Sequence, residues 1–331
     1  MLKEWTLFRF KIRNRSFLWH MGLFLAGYAL AATPGFAASV TPKYSDILKN
    51  FKESPEISTQ FKAAQSQWPA KISPPLDQLL KQNQDFLKTW DQLLDQSANF
   101  HRGQLEDEKI LNQLTQVLQL SLLRLQTDFQ QNTKSTQSLQ KESQRWLAYA
   151  AAVPFDEASL ISLKWAHLVR SMVFDQLELA ISKYPECGTS SGAEFLAWMN
   201  QVQVPWPLER ILLTEGKRWV SGREVGKLEK LAMMVQKNPY LPLEETLRKM
   251  DPHPSENLLK LTVFWTKSDI DLLAEEMNRL QKMQGKLALA HYREKNKQEP
   301  KSVEDLVNSK YLLQKPIDYR TGQVMSLKDL Q

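Results

Sequence analysis

Few residues of this chain could carry out acid–base or metal chemistry, and their spacing does not group them. The five histidines are widely separated, and they are His20, His101, His167, His253 and His291. No two have the spacing that places a pair of metal ligands on one helix face. We therefore predict no metal site and no cofactor, and we interpret His167 and His291 as histidines at the edge of a core or on the surface. His253 lies between Pro252 and Pro254 in a loop of defined shape and is a candidate partner-binding residue.

Nucleophilic catalysis has little support in the sequence. Cys187 is the only cysteine, so no intramolecular disulfide can form. No histidine or basic residue adjoins it in sequence to activate its thiol. A serine nucleophile would need a strained turn such as G-x-S-x-G, and the chain has no such string. We therefore predict an inert thiol and no catalytic residue.

Two kinds of acidic residue could support hydrolysis. The tripeptide Lys141-Glu142-Ser143 resembles the Glu-Ser start of the motif of lytic transglycosylases, which use one glutamate as a general acid. The glycine-rich continuation of that motif is absent, so Glu142 is predicted to be a solvated helix residue. The paired acids Glu244-Glu245 and Glu275-Glu276 are adjacent along helices, where their side chains diverge by about 100°. They are not expected to converge on one substrate atom.

Most tryptophans outside the N-terminal segment are predicted to lie in the core, because they recur at helical spacing with Leu or Val. They are Trp68, Trp90, Trp146, Trp165, Trp198, Trp219 and Trp265. Trp206 is different because Pro205 and Pro207 flank it. A Pro-Trp-Pro loop holds an indole at a corner between helices or at the surface, so Trp206 is the second candidate partner-binding residue.

The elements that must position these residues are helices. Apolar residues recur every three or four positions between Leu76 and Leu94, between Leu111 and Phe129, and between Leu160 and Leu177. Further helices are predicted over 208–220, 224–237, 243–250 and from Ser255 towards Asn296, with a break near Lys267. No alternating strand pattern and no fixed repeat is evident. The sequence predicts an all-α fold, an irregular array of helical hairpins with a short C-terminal helix-turn tail.

Local signals place several helix starts. Ser73 before two prolines, and Asp156 before the apolar residues from Leu160, are predicted N-caps. Ser302 and Asp305 have the spacing of a capping box.

The first residues have the composition of a bacterial export signal. A basic leader precedes an apolar run over 17–32, and Pro34, Gly35 and small residues follow. Cleavage is predicted before Ala38, although an uncleaved membrane anchor is the alternative. The full chain has 43 basic and 37 acidic residues, and removing the five basic residues and one acidic residue of the leader leaves a formal charge of only +2. We therefore predict no nucleic-acid partner.

These observations divide the chain into four parts. Residues 1–37 are the predicted signal peptide or anchor, 38–75 an N-terminal extension, 76–296 a helical body, and 297–331 a C-terminal tail.

The tail carries a resemblance to known proteins. The stretch Leu287 to Arg293 is an apolar helix ending in Tyr-Arg, and Pro300, the capped segment 302–307, and a turn from Asp318 to Gly322 follow it. This order resembles a tail found in many exported bacterial proteins of unassigned chemistry, and it is similar to a pattern of the major pseudopilins of type II secretion. The usual turn is replaced by residues 297–300, and Tyr319 replaces the proline that usually follows the aspartate.

The resemblance implies an exported helical protein and supplies no catalytic residue. We expect a non-catalytic periplasmic protein of the bacterial envelope that contacts an envelope protein, with the membrane reached only through an uncleaved N-terminal segment. The alternatives are a cell-wall hydrolase similar to lytic transglycosylases and an inner-membrane-anchored factor with the same body.

Overall fold

A computed structural model describes most of the chain after residue 42. The described residues are 43–66, 73–95, 105, 107–131, 136–156, 159–183, 193–202, 204, 208–220, 222–237, 243–261 and 266–331. By its contacts the chain divides into residues 1–41 and residues 42–331, and every described residue belongs to the second unit. The predicted export signal therefore lies outside the described residues.

The described residues form helices, as predicted. The helices are α1 (Tyr44–Ile47), α2 (Pro55–Ser66), α3 (Pro74–Gln82), α4 (Gln84–Asp95), α5 (Glu108–Gln131), α6 (Thr136–Asp156), α7 (Leu160–Lys183), α8 (Ala193–Met199), α9 (Leu208–Trp219), α10 (Arg223–Lys237), α11 (Leu243–Met250), α12 (Glu256–Leu259), α13 (Thr266–Asn296) and α14 (Val303–Asn308). No strand occurs in this part of the chain, where an isolated antiparallel bridge joins Ile317 and Val324. None of these helices is both long and apolar enough to span a bilayer.

Side-chain caps fix several helix starts where the sequence placed them. Ser73 Oγ accepts a 3.3 Å hydrogen bond from the Leu76 amide at the start of α3. Ser302 and Asp305 form a complete capping box at α14, since each side chain accepts a hydrogen bond from the backbone of the other residue. These caps satisfy amide donors that have no partner within the helix.

The apolar stripe between Leu76 and Leu94 is divided into two helices instead of one. The break lies at Asn83, whose buried side chain accepts from the Lys52 amide at 2.9 Å and donates to the Lys52 carbonyl at 3.3 Å. These bonds bring the N-terminal extension against the α3–α4 junction. The partner lies 31 residues away, so local periodicity could not reveal it.

The predicted cap of α7 by Asp156 is wrong. Helix α6 continues through Asp156, and the side chain of Ser159 instead receives the 3.0 Å hydrogen bond of the Ser162 amide at the start of α7. A serine directly before the helix can reach the free amide donors of the first turn, which a residue one turn earlier cannot.

The main core lies between the α6–α7 hairpin and helices α4, α5 and α13. Its centre is aromatic: the rings of Trp90 and Trp146 are 6.0 Å apart, and Tyr149 packs edge-on against Trp146 at 5.6 Å. The Tyr149 hydroxyl hydrogen-bonds to Tyr44 at 2.7 Å and accepts from Trp165 Nε1 at 3.0 Å. The polar ends of Tyr44, Tyr149 and Trp165 are therefore paired inside the core.

Four tryptophans confirm the prediction that they lie in the core, namely Trp90, Trp146, Trp165 and Trp198. Trp219 contradicts it, since half of this residue is exposed at the end of α9. Trp68, Trp206 and Trp265 lie outside the described residues.

A second, smaller apolar cluster is formed by residues of the four helices α9, α10, α11 and α12 and of the segments that adjoin them. Its buried members are Leu212, Val220, Leu228, Ala232, Leu247, Leu258 and Leu261. A Cβ atom on Gly216 would lie 1.9 Å from Leu228, so the absence of a side chain there lets α9 and α10 approach closely.

The C-terminal tail packs along α13. Asn278 donates to Asp318 Oδ1 at 2.9 Å and accepts from the Tyr319 amide at 2.7 Å, while Gln281 accepts from the Ile317 amide. Leu330 is fully buried against Gly285, where a Cβ atom would lie 2.7 Å from the leucine. The tail is therefore joined to the body by both polar and apolar contacts.

Candidate functional site

A small polar cleft lies where α4, α5 and α6 meet. Its volume is about 220 Å³, and it is lined by Asp91, Arg124, Leu125, Asp128, Ser138, Lys141, Glu142 and Arg145. Three of these side chains are acidic and three are basic. The cleft contains Glu142, which we predicted from the sequence to be a solvated helix residue.

Glu142 is buried, with 6% of the residue exposed, so the prediction of a solvated side chain is wrong. It lies three residues after Leu139 and four residues before Trp146, and both of these are fully buried. Glu142 thus occupies a position in the apolar stripe of α6. The spacing of Glu142 relative to Leu139 and Trp146 therefore indicates a buried position, although a charged residue is usually expected to be exposed.

Both oxygens of the Glu142 carboxylate are engaged by donors. Oε1 accepts from Trp146 Nε1 at 3.2 Å and from Arg124 Nη2 at 3.3 Å. Oε2 accepts from Arg145 Nη1 at 3.3 Å. Two of these donors belong to α6 itself, and Arg124 brings the third from α5.

The two arginines extend these contacts to α4. Arg124 Nη2 donates to Asp91 Oδ1 at 2.8 Å. Arg145 binds Asp95 with two parallel hydrogen bonds of 2.6 and 2.7 Å and lies 3.1 Å from Asp91 Oδ2. Such bidentate pairs fix the guanidinium plane and are among the strong charge-assisted bonds of proteins. This ion-pair network therefore connects α4, α5 and α6.

Burial and the neighbouring positive charges have opposite effects on the pKa of Glu142 in the cleft. Burial raises the pKa of Glu142 above its ordinary value, and the negative charge of Asp91 acts in the same direction against the lowering effects of Arg124 and Arg145. Burial also raises the pKa of Asp128. The hydrogen bonds to Asp95 raise the pKa of the Arg145 guanidinium and lower that of the Asp95 carboxyl.

A second buried charge cluster joins α7 to α13. Glu276 accepts from Arg170 Nε at 2.8 Å through one oxygen and lies 2.7 Å from His167 Nδ1 through the other. Arg170 also donates to the Ala150 carbonyl at 3.4 Å. His167 therefore lies at the edge of the core, one of the two placements predicted for it, and it pairs with a carboxylate. Glu275, by contrast, is exposed and pairs with Arg320, so the adjacent acids diverge as expected.

Arg279 extends the same interface by one helical turn of α13. Its guanidinium donates to Asp175 at 2.6 Å, to both oxygens of Glu178 at 3.0 Å, and to the Ser171 hydroxyl at 3.3 Å. The ring of Phe174 lies beneath it at 5.9 Å. Partners in these two clusters lie more than 100 residues apart in the sequence, so sequence reasoning missed them.

His253 and His291 do not join these clusters. His253 lies in an exposed loop, where its backbone amide donates to Asp251 Oδ1 at 3.2 Å. His291 is buried beside Tyr311, with the two rings stacked at 6.3 Å. Trp206, Cys187 and His101 lie outside the described residues. Within the described part of the chain, no three His, Cys, Asp or Glu side chains are grouped so as to hold a metal ion.

The arrangement around Glu142 can do two things chemically. Its carboxylate is shared by two arginines, which connect α5 and α6 to Asp91 and Asp95 of α4, and it presents a carboxyl of raised pKa to a cleft. Comparisons with protein-family models, with curated proteins and with solved structures gave no match for this chain. Its function therefore has to be argued from its own residues.

Proposed function

We propose that this chain is an exported helical protein of the bacterial envelope that acts in the periplasm by contacting another protein and not by catalysis. The basic leader and apolar run before Ala38 support export, because this order of charge and hydrophobicity is what the secretion machinery accepts. The resemblance of the tail to exported proteins supports the same location.

The observation that carries the non-catalytic part of the proposal is the pairing of Glu142. A general acid must direct a proton at its substrate, within hydrogen-bond reach of the bond that breaks. Here Trp146, Arg124 and Arg145 donate to both carboxylate oxygens, and all three donors favour the ionised form. The geometry fits a carboxylate that joins helices better than an acid held ready to act.

The outer face of α7 supports the contact with a protein partner. Ile161 and Leu168 are exposed apolar residues seven positions apart, so they lie on the same side of the helix. Neighbouring exposed apolar side chains on one helix face are a common component of protein interfaces.

The test is capture of binding partners from a bacterial envelope extract with the purified protein as bait. We expect a protein that the wild type retains and Leu168→Glu loses. Leu313→Glu is the matched control, because Leu313 is also an exposed leucine but lies in the tail. A bait that retains nothing above the bare matrix would contradict the proposal.

A second candidate function, cell-wall hydrolysis, is favoured by one observation. Burial raises the pKa of Glu142 beside a cleft, which is how glycosidases keep a carboxylic acid protonated near neutral pH. Incubation of the protein with purified peptidoglycan separates the candidates. We expect no release of soluble fragments, and release by the wild type but not by Glu142→Gln would establish a hydrolase.

A further inference from the structure

Two adjacent methionines on α10 differ from the other methionines of the described chain. Met233 is 49% exposed and Met234 is 39% exposed. Four others are buried in the core, with exposures between 0% and 7%, namely Met172, Met199, Met283 and Met325. Met250 and Met277 are partly buried against the main core. Solvent therefore reaches the sulfur-bearing side chains of α10 much more readily than the rest.

A second observation shows that the surrounding face of α10 is uncovered. Gly226 precedes Met233 by seven residues and so lies on the same side of the helix. A Cβ atom built on Gly226 would meet no atom within 4 Å. Glu229 and Lys230, between these positions, are exposed as well. No element among the described residues shields this face along two helical turns.

We propose that Met233 and Met234 are the methionines most readily oxidised among the described residues, and that the oxidant is a two-electron oxygen donor of the hydroperoxide class. A lone pair of the thioether sulfur attacks one peroxide oxygen, the S–O bond forms, and the O–O bond breaks. The sulfur loses two electrons, and the departing oxygen takes up the electron pair of the O–O bond and the proton of the transferred oxygen, so the thioether becomes a sulfoxide and hydrogen peroxide is reduced to water. The product side chain is polar and chiral, whereas the thioether is apolar.

The position of the two methionine side chains determines how their oxidation affects the fold. Oxidation of a buried methionine forces a polar group into the core and disrupts packing. Met233 and Met234 lie outside both apolar clusters, whereas the preceding Leu231 and Ala232 are fully buried and fix the helix from its other side. The oxidised protein therefore keeps its fold and changes only the polarity of the α10 surface. This inference does not rest on the proposed protein-binding function.

The test is a time course of the folded full chain with hydrogen peroxide, read as the sulfoxide fraction of each methionine by peptide mass spectrometry. We expect Met233 and Met234 to oxidise at least about tenfold faster than Met199 and Met283, because the buried sulfurs react only when the core opens. The thermal unfolding midpoint should not change while only the fast pair is oxidised. In urea-unfolded protein all these methionines should react at similar rates.

Matched variants complete the design. Met233→Leu with Met234→Leu conserves side-chain volume and should remove the fast phase, whereas Met277→Leu should leave it in place. Equal rates at exposed and buried positions in the folded chain would overturn the proposal, and so would oxidation of Met199 or Met283 first. Loss of the folded state on oxidation of the fast pair alone would equally contradict it.

Discussion

Arg170 Nε donates a 2.8 Å hydrogen bond to Glu276 Oε2, and both side chains are almost completely buried at the contact of α7 with α13. Each charge is expensive to remove from water and is stable there only because the other is present. The pair therefore makes the interface intolerant of single changes, while its net contribution to the free energy of folding is modest.

We expect Glu276→Leu to lower the free energy of unfolding by about 3–5 kcal/mol, because it leaves the Arg170 charge buried without a carboxylate to neutralise it. The double variant Arg170→Met, Glu276→Leu should lose less than Glu276→Leu alone, since neither buried charge remains. Urea unfolding followed by circular dichroism measures both effects. Glu275→Leu is the control, because Glu275 is exposed and its ion pair should contribute no more than about 1 kcal/mol. Equal losses for the single and double variants would show that the pairing is not what matters.

We expect the replacement of Asp128 in the cleft to change the stability of the protein in a pH-dependent way. Burial raises the folded-state pKa of Asp128 above its unfolded value, so the folded state holds this proton more tightly. The stability of the wild type relative to Asp128→Asn is therefore greatest below the ordinary pKa of 3.8 and falls as pH rises through the folded pKa. At pH 7 we expect Asp128→Asn to unfold at a higher temperature than the wild type, and at pH 3 this advantage should disappear. Calorimetry at the two pH values measures it, and an advantage that is independent of pH would refute the assignment.

Two glycines in helices should respond in opposite ways to the same substitution. Gly285→Ala places a Cβ atom 2.7 Å from Leu330 and should destabilise the protein by about 1–3 kcal/mol, because the tail must shift or the core must expand. Gly226→Ala meets open space on α10 and should stabilise it by about 0.5–1 kcal/mol, the usual difference in helix propensity. Thermal unfolding of the two variants is the measurement. A gain in stability for Gly285→Ala would show that the tail does not pack there.

Export predicts a defined N-terminus. We expect the protein recovered from the periplasm to begin at Ala38, because small residues precede this position and follow the apolar run. N-terminal sequencing of that material distinguishes cleavage from anchoring. A start at Met1 in the membrane fraction would support the anchored alternative instead.

Local signals in the sequence were sufficient for most helices. Helix α11 has the predicted bounds of 243–250, and Ser73 and Ser302 cap the helices they were expected to cap. These features depend on residues within one or two turns of each other, which a single sequence displays directly. The split at Asn83 was not predicted, and the side chain of Asn83 is hydrogen-bonded to Lys52, in a different part of the chain.

The candidate site was predictable only in part. Glu142 lies in the apolar stripe of α6, so the spacing of its apolar neighbours alone indicates that it is buried. Its partner Arg124 comes from α5 and the Arg124 partner Asp91 comes from α4, and only the packing of α4, α5 and α6 brings them together. The same is true of Glu276, whose position beside His167 depends on α13 lying along α7. Sequence patterns indicate which face of a helix is buried, and long-range packing decides which charges meet there.

Trp146 Nε1 donates a hydrogen bond to Glu142 Oε1, so this indole lies beside the charge of the cleft. Since indole emission responds to charge near its nitrogen, we expect the fluorescence of Trp146 to change when the carboxyl takes up a proton. The difference spectrum between the wild type and Trp146→Phe, recorded across pH, would give the titration of Glu142 without any added dye.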